Sequence, residues 1–368
     1  MNTTHRRRQG FYALPSSHWQ MLAEPPFSIL ENLNRVDDAI DANADIADII
    51  LETALINFGL PLDPERNDST RNWHGTATQA DVSKAHTTIR QLYRDWSVEG
   101  RREREVCYHP VLRDLKGEFD DNHSLEDVRV LVPGAGLARL VFDLCQEGFS
   151  VEGNEVSYHQ LFASSWALNY TQGVQKHAVY PFALQFSNLI NRNEQLTKVM
   201  VPDVHPASAM LAGEAGNNGH GFGNMSMTAA DFMVLYTSNS YKEVFDAVAT
   251  VFFIDTASNP IRYIETIHHC LKPGGIWTNV GPLLWHFGEG SEHHNHARHN
   301  EGGQLPGIGE PGNVEVTEEE LILLLERMGF YIEKREQQKS CGYIQDPLSM
   351  MQHVYRPSHW VARKKVSI

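Results

Sequence analysis

The run Val128-Arg129-Val130-Leu131-Val132-Pro133-Gly134-Ala135-Gly136 limits what this chain can fold into more than any other stretch. Five of the six residues before Gly134 are apolar or proline, and Gly134-Ala135-Gly136 follows at once. Such a run predicts a buried strand entering a turn where the backbone approaches a ligand closely. A second segment, Phe149-Ser150-Val151, ends in Gly153-Asn154-Glu155, which sets Glu155 19 residues beyond Gly136. An acidic side chain at that distance can hold a ribose diol at the edge of a doubly wound sheet. The two features together point to a nucleoside cofactor.

The alternation continues downstream. A helix is expected over 137–147, a strand at 149–155, a helix over 157–170, a strand at 246–254 with Asp255 at its exit, a helix over 257–271, and a strand at 276–280 after the turn Lys272-Pro273-Gly274-Gly275. Strands alternating with helices imply a parallel sheet with right-handed crossovers. Thr317-Glu318-Glu319-Glu320 forms a capping box for a helix that runs to Met328 and stops at Gly329. Phe330–Lys334 and His359–Arg363 are expected to close the sheet as an antiparallel pair.

Upstream, residues 1–25 have no periodic pattern and read as loosely ordered. Residues 36–58 carry apolar positions at helical spacing, closed by Gly59 and Pro61, and 61–75 read as a loop. Asp81 is placed to cap one long helix running to about Cys107. The expected organisation is therefore a helical region over 1–120, contributing a lid over the cofactor, and a sheet domain over 121–368. Two stretches rich in Gly, Asn, Ala or His, 209–224 and 288–313, read as mobile loops.

With 368 residues, the chain is long enough for one elaborated α/β domain or for two domains. A net charge of −15 argues against nucleic acid or an anionic membrane as the main partner, because phosphate binding needs a basic face. Cys107, Cys145, Cys270 and Cys341 are scattered and form no CxxC pair, so reduced thiols are expected. No run of 18 apolar residues is present, and the N-terminus is polar and basic without an apolar signal core. A cytoplasmic location follows as an expectation, with the nucleus also open to the chain. His293, His294, His296 and His299 sit among glycines that would not hold a ligand geometry, so no metal is expected. The helical N-terminal region offers a surface for a homodimer contact.

Gly134-Ala135-Gly136 suits either a dinucleotide or S-adenosylmethionine. The dinucleotide fingerprint places a third glycine three residues after the second, and Arg139 stands there. Leu271-Lys272-Pro273-Gly274-Gly275-Ile276 resembles the connection before the fifth strand of many Rossmann-like methyltransferases. Met227-Thr228-Ala229-Ala230-Asp231-Phe232 is similar to the place where such enzymes set an acidic residue near the adenine amine and an apolar residue against the ring. Their usual acidic residue two positions before the first glycine is Val132 here, so other groups must hold the methionine end.

A more specific resemblance comes from motifs in order: Arg94-Asp95-Trp96-Ser97 with Cys107-Tyr108, VLVPGAGLARL, Gly153-Asn154-Glu155, Tyr180-Pro181, Gln185-Phe186-Ser187-Asn188, Val201-Pro202-Asp203-Val204 and Ser226-Met227-Thr228. FFIDTASN at 252–259, LKPGGIWTNVGPLLWHF at 271–287 and Leu348-Ser349-Met350-Met351 complete the set. Over roughly 80–287 and 315–365 the chain resembles the carnosine N-methyltransferases. The resemblance implies a class I methyltransferase sheet and methyl transfer from S-adenosylmethionine to the N-pi imidazole nitrogen of carnosine or a related histidine-containing dipeptide, giving anserine. It implies Gln91 and Arg94 at the methionine end of the cofactor. It implies Gly134, Glu155, Asp231 and Phe232 as the other cofactor contacts, and a dipeptide pocket of Asp255, His286, Tyr343 and Tyr355, with Asp255 and His286 at the reacting ring. His353 stands where the family often has Tyr, and 288–313 has no counterpart there.

Methyl transfer is an in-line displacement, so positioning supplies much of the rate. An imidazole attacks only through a nitrogen carrying a free lone pair, and a hydrogen bond accepted from the other nitrogen selects that tautomer. A carboxylate at Asp255 suits this task, in the manner of the Asp–His pair of a hydrolase triad. The competing assignment for Asp255 is the N-cap of helix 257–271. His286, Tyr343 and Tyr355 would otherwise be read as ordinary core side chains. Two other functions remain to be discriminated: a methyltransferase acting on another imidazole compound or a protein histidine, and a nicotinamide-dependent oxidoreductase.

Overall fold

The computed structural model describes residues 3–63, 72–119, 124–214, 221–285, 312–337 and 339–366. The chain forms two compact units, one from 1–101, 165–205 and 343–353, the other from 102–164, 206–342 and 354–368. The strands in chain order are β1 (Arg129–Pro133), β2 (Ser150–Glu155), β3 (His177–Val179), β4 (Val199–Val201), β5 (Met225–Ala229), β6 (Phe245–Val251), β7 (Leu271–Gly281), β8 (Phe330–Gln337) and β9 (Ser358–Lys364).

The second unit holds a seven-stranded sheet in the order β5-β2-β1-β6-β7-β9-β8. β5, β2, β1, β6 and β7 run parallel; β9 lies antiparallel between β7 and β8. Val130, Leu131 and Val132 of β1 are buried, as a central parallel strand covered on both faces requires. On one face, Ile264 and Ile267 of helix Pro260–Cys270 and Leu321 and Leu325 of helix Glu318–Arg327 join Leu131, Val248, Trp277 and Trp360 in a single core. Trp277 meets Trp360 edge to face at 4.8 Å. On helix His109–Phe119, Asp114 accepts hydrogen bonds from Lys334 Nζ (2.8 Å), Thr278 Oγ1 (3.1 Å) and His359 Nε2 (2.5 Å), tying that helix to β7, β8 and β9. Chain order reverses at β1, since β2 follows on one side and β6 on the other. That reversal opens the crevice where open α/β sheets bind ligands.

The first unit is helical, with the antiparallel pair β3–β4. Helix Ile29–Asn57 buries Leu33, Val36, Ala39, Ile46, Ile50, Ala54 and Leu55. Asn43 on this helix exchanges two hydrogen bonds with the Tyr180 backbone, at 3.0 and 2.8 Å, and so fixes the segment after β3.

The α/β fold class, the helical N-terminus and the closing antiparallel pair agree with expectation. Several local expectations need correction. Residues 1–25 are not loosely ordered: they form helices Thr3–Tyr12 and Ser16–Ala23, and Thr4 Oγ1 and Arg8 both bond Asp37 on the long helix. The single helix expected over 81–107 is two, Gln79–Trp96 and Arg101–Cys107. The break lies at Ser97–Gly100, where Gly100 approaches so closely that an added Cβ would sit 2.1 Å from the Tyr93 carbonyl oxygen and 2.4 Å from that of Arg94. The cap is Thr78, and Asp81 is its capping-box partner, not the cap itself. Residues 206–214 form a helix where composition predicted loop, because Ala, Ser, Met and Leu dominate that part. β7 starts at Leu271, and its pairing with β6 is irregular at the Pro-Gly-Gly. His286 and the segment 288–311 lie outside the described residues.

Candidate active site

β1 delivers Gly134 and Gly136 to its carboxyl end with φ of +67° and +56°, values that glycine adopts without strain. Gly134 lies on the ring of Phe253, which follows β6; an added Cβ would come within 2.6 Å of Phe253 Cδ2. The Ala135 N–H donates to the Asn154 carbonyl at 2.9 Å, which binds this loop to the end of β2.

Glu155 closes β2 and is buried. Its Oε2 accepts the Gly136 N–H at 3.0 Å, and its Oε1 accepts the N–H groups of Val156 and Ser157, both at 2.9 Å. Three backbone donors therefore fix the carboxylate beside the glycine turn. Asn154 faces the other way, and its Nδ2 donates to the Ala230 carbonyl at 2.9 Å. That bond draws the end of β5 against β2, so Asp231 and Phe232 arrive at the same rim. Asp231 caps the short helix Phe232–Leu235 through the Val234 N–H at 3.0 Å.

Phe232 packs edge to face on Phe253 and on Tyr263, both with centroids 5.5 Å apart, and Phe253 stacks on Tyr263 at 4.7 Å. Burial pushes the Tyr263 phenol up; a hydrogen bond with Thr256 opposes this, and the charges of Asp231 and Glu155 add to the rise. Sequence reasoning missed Tyr263, because its helix gives only an amphipathic pattern.

Asp255 sits in the 3-10 turn Ile254–Thr256 just beyond β6, 2% exposed. Its Oδ2 accepts the Leu284 N–H at 2.9 Å. It is not the helix cap: Asn259 caps Pro260–Cys270. Phe252, at φ +53° and three residues before Asp255, meets Tyr355 edge to face at 5.7 Å, which brings Tyr355 to the same exit. Gly134, Glu155, Asp231, Phe232, Asp255 and Tyr355 thus gather at one end of one sheet.

Gln91, Arg94 and Tyr343 belong to the helical unit. Gln91 is buried. Arg94 Nε donates to Asp95 Oδ1 at 2.8 Å and Nη2 to Asp95 Oδ2 at 3.2 Å, and its guanidinium lies 4.5 Å from the centroid of the Tyr343 ring. Two residues expected to serve different substrates are therefore in contact with each other. His353 is exposed, and its N–H donates to Gln345 Oε1 at 3.0 Å.

The arrangement fits a nucleoside donor. A glycine turn seated on the Phe253 ring lies beside the fixed Glu155 carboxylate, with a second buried carboxylate, Asp255, past β6 on the other side of β1. Among the described residues, no group of three or more His, Cys, Asp or Glu could hold a metal ion, and no helix is long and apolar enough to cross a membrane.

A family model described as "Carnosine N-methyltransferase" matches residues 71–366. The carnosine N-methyltransferase of Schizosaccharomyces pombe is 34% identical over 367 residues, covering 99% of this chain and 91% of that one. The Mus musculus protein of the same name is 32% identical over 361 residues, covering 98% and 81%. The Drosophila melanogaster protein "Carnosine N-methyltransferase unmet" is 38% identical over 285 residues, covering 77% and 56%. With the family model spanning both the glycine turn and Asp255, and a fungal relative matched nearly end to end, the chain belongs to the carnosine N-methyltransferase family.

Proposed function

We propose that this enzyme transfers the methyl group of S-adenosylmethionine to the N-pi nitrogen of carnosine or a closely related histidyl dipeptide, with anserine as the product from carnosine. The observation that carries the proposal is the shared rim: the buried Glu155 carboxylate at the end of β2 and the buried Asp255 carboxylate past β6, on either side of the glycine turn of β1. Glu155 takes the ribose hydroxyls, Asp231 the adenine amine, and Phe232 the adenine ring. Gln91 and Arg94 of the helical unit hold the methionine end. Arginine suits a carboxylate because its planar fork matches it.

S-adenosylmethionine supplies, when bound, an electrophilic methyl group on a sulfonium. The protein contributes position and tautomer. The Leu284 N–H holds Asp255 Oδ2, so the carboxylate keeps one orientation. Asp255 accepts the N–H of the substrate's far ring nitrogen, which leaves N-pi with its lone pair toward the donor. As N-pi becomes alkylated and the donor leaves as the neutral thioether, the ring gains positive charge and the buried Asp255 carboxylate stabilises it. His286 and Tyr355 complete the pocket on this proposal.

The test is to incubate the full chain with isotopically labelled donor and a panel of carnosine, free histidine, other imidazole compounds and histidine-containing proteins, then locate the methyl group by mass spectrometry. Label on N-pi of carnosine supports the proposal. Label only on another imidazole or on protein moves the substrate assignment, and tight NADH binding without S-adenosylhomocysteine binding would sink it.

A further inference from the structure

Two cysteines that lie far apart in the chain meet in the fold. Cys107 ends helix Arg101–Cys107, and its Sγ lies 3.5 Å from Cys341 Sγ, in hydrogen-bond contact across 234 residues of chain. Both are thiols, and both belong to the sheet unit.

The other two cysteines show what a purely structural thiol looks like in this protein. Cys145 and Cys270 are each 0% exposed and donate to the carbonyls of Asn224 (3.5 Å) and Tyr236 (3.2 Å). Burial pushes each of these thiols up to about 12. Such groups do not supply the thiolate that oxidation needs. Cys107 and Cys341 are 5% and 6% exposed and face another sulfur. Cys341 also directly follows Lys339 and Ser340, both exposed. Opening of a short exposed segment costs far less than unfolding a core strand, so an oxidant can reach Cys341.

Cys341 is coupled to the acceptor side of the rim. Its N–H donates to the Tyr355 carbonyl at 3.0 Å, and the Tyr355 N–H donates to the Cys341 carbonyl at 2.8 Å, as an antiparallel bridge. The Tyr355 ring meets Phe252, three residues before Asp255. All of these residues belong to the sheet unit.

We propose that Cys107 and Cys341 form an oxidisable dithiol, a modification site that hydrogen peroxide closes to a disulfide, and that closure weakens acceptor binding through Tyr355. The dithiol stands apart from the proposed reaction; the effect on acceptor binding rests on that reaction. The Cys341 thiolate attacks one peroxide oxygen, the O–O bond breaks, and the departing hydroxide takes up a proton as water. Sulfur has then given two electrons to the peroxide and is a sulfenic acid. The Cys107 sulfur attacks it, the S–S bond forms, the S–O bond breaks, and the Cys107 proton leaves with the hydroxide as a second water. A disulfide bond is about 2.05 Å long, so the two sulfurs close by roughly 1.5 Å. That movement acts directly on the backbone bridge to Tyr355.

The test is to treat the folded full chain with hydrogen peroxide, block remaining thiols by alkylation, and map the peptides without reduction. Two of the four thiols should be lost and a Cys107–Cys341 linked peptide should appear, both reversed by dithiothreitol, with Cys145 and Cys270 still alkylated after unfolding. Four intact thiols at a dose that oxidises a small dithiol in the same buffer, or links through Cys145 or Cys270, would overturn the dithiol. In the linked protein, KM for carnosine should rise by about fivefold or more and KM for S-adenosylmethionine should stay within about twofold, as for coupling confined to one site. An unchanged carnosine KM, or a rise that persists in peroxide-treated Cys341→Ser, would overturn the coupling. If that variant does not fold, the dithiothreitol reversal of the wild-type KM decides in its place. A wild-type protein inactive on carnosine before oxidation defeats the proposed reaction alone; the peptide map still decides the dithiol, and amide hydrogen exchange at Cys341 and Tyr355 decides whether linkage disturbs their bridge.

Discussion

The sheet unit and the helical unit position their candidate site side chains by different means. At the sheet rim the backbone does the holding: Glu155 lies on three N–H groups, Asp255 on one, and Gly134 against a ring that leaves no room for a side chain. In the helical unit, side chains hold side chains: Arg94 rests in the fork of Asp95 and against the face of Tyr343, far away in sequence. Backbone holding depends on strand order and turn geometry, so it tolerates sequence change around it. Side-chain holding depends on partners that must be kept as a set.

The contrast can be broken most decisively at the acceptor end. Asp255→Asn should lower kcat by about 10²–10⁴-fold, the range for a positioned acid–base group, with S-adenosylhomocysteine affinity within twofold by calorimetry. Full turnover in that variant would mean that the tautomer is set elsewhere. Next in size, Glu155→Gln and Arg94→Lys should each weaken donor binding by about 10–100-fold, as expected for lost charge-assisted bonds. Only the Glu155 change should also lower Tm, because it disturbs backbone donors that no other side chain serves. Equal loss of Tm in both variants would erase the distinction.

Glycine substitutions sharpen the comparison. Gly100→Ala meets two backbone oxygens, and Gly134→Ala meets the packed Phe253 ring at φ +67°. Both should cost about 1–3 kcal/mol by overpacking, with the larger fall in Tm for Gly100→Ala in thermal unfolding. The smallest effect lies far from either site. Burial raises the pKa of Asp114, but hydrogen bonds from His359 and Lys334 outweigh it and hold its carboxyl below the ordinary 3.8. A lowered carboxyl pKa adds stability that is fully present above the ordinary value and is lost as pH falls through the lower, folded-state value. Asp114→Asn should therefore flatten the acid limb of a Tm-against-pH curve below about 4 and leave turnover near neutrality unchanged.

The same division explains what could be read from sequence. β1, its glycine turn and Glu155 were legible because a parallel strand, a positive-φ turn and an acidic strand end each leave a local signature. The rim positions of Asp231 and Asp255 were legible for the same reason, both lying just past strands. The pairing of Arg94 with Asp95 under Tyr343 left no such trace, since residues 94 and 343 meet only through tertiary structure. The place of Tyr263 beside Phe253 was missed on that account too. The break at Ser97–Gly100 was hidden because its cause, a glycine seated on two carbonyls, lies in close approach and not in helix propensity. The N-terminal helices were missed because polar bonds to Asp37, not an apolar stripe, secure the first of them.

Phe253 is a party wall. One side of its ring bears Gly134, proposed above to meet the donor, and its own chain runs two residues on to Asp255, proposed to meet the acceptor. On that proposal, a nucleoside pressing on the glycine turn bears on the ring two residues before the Asp255 carboxylate. The two ligands should then enter in a preferred order, the donor first, with the acceptor joining a rim already set.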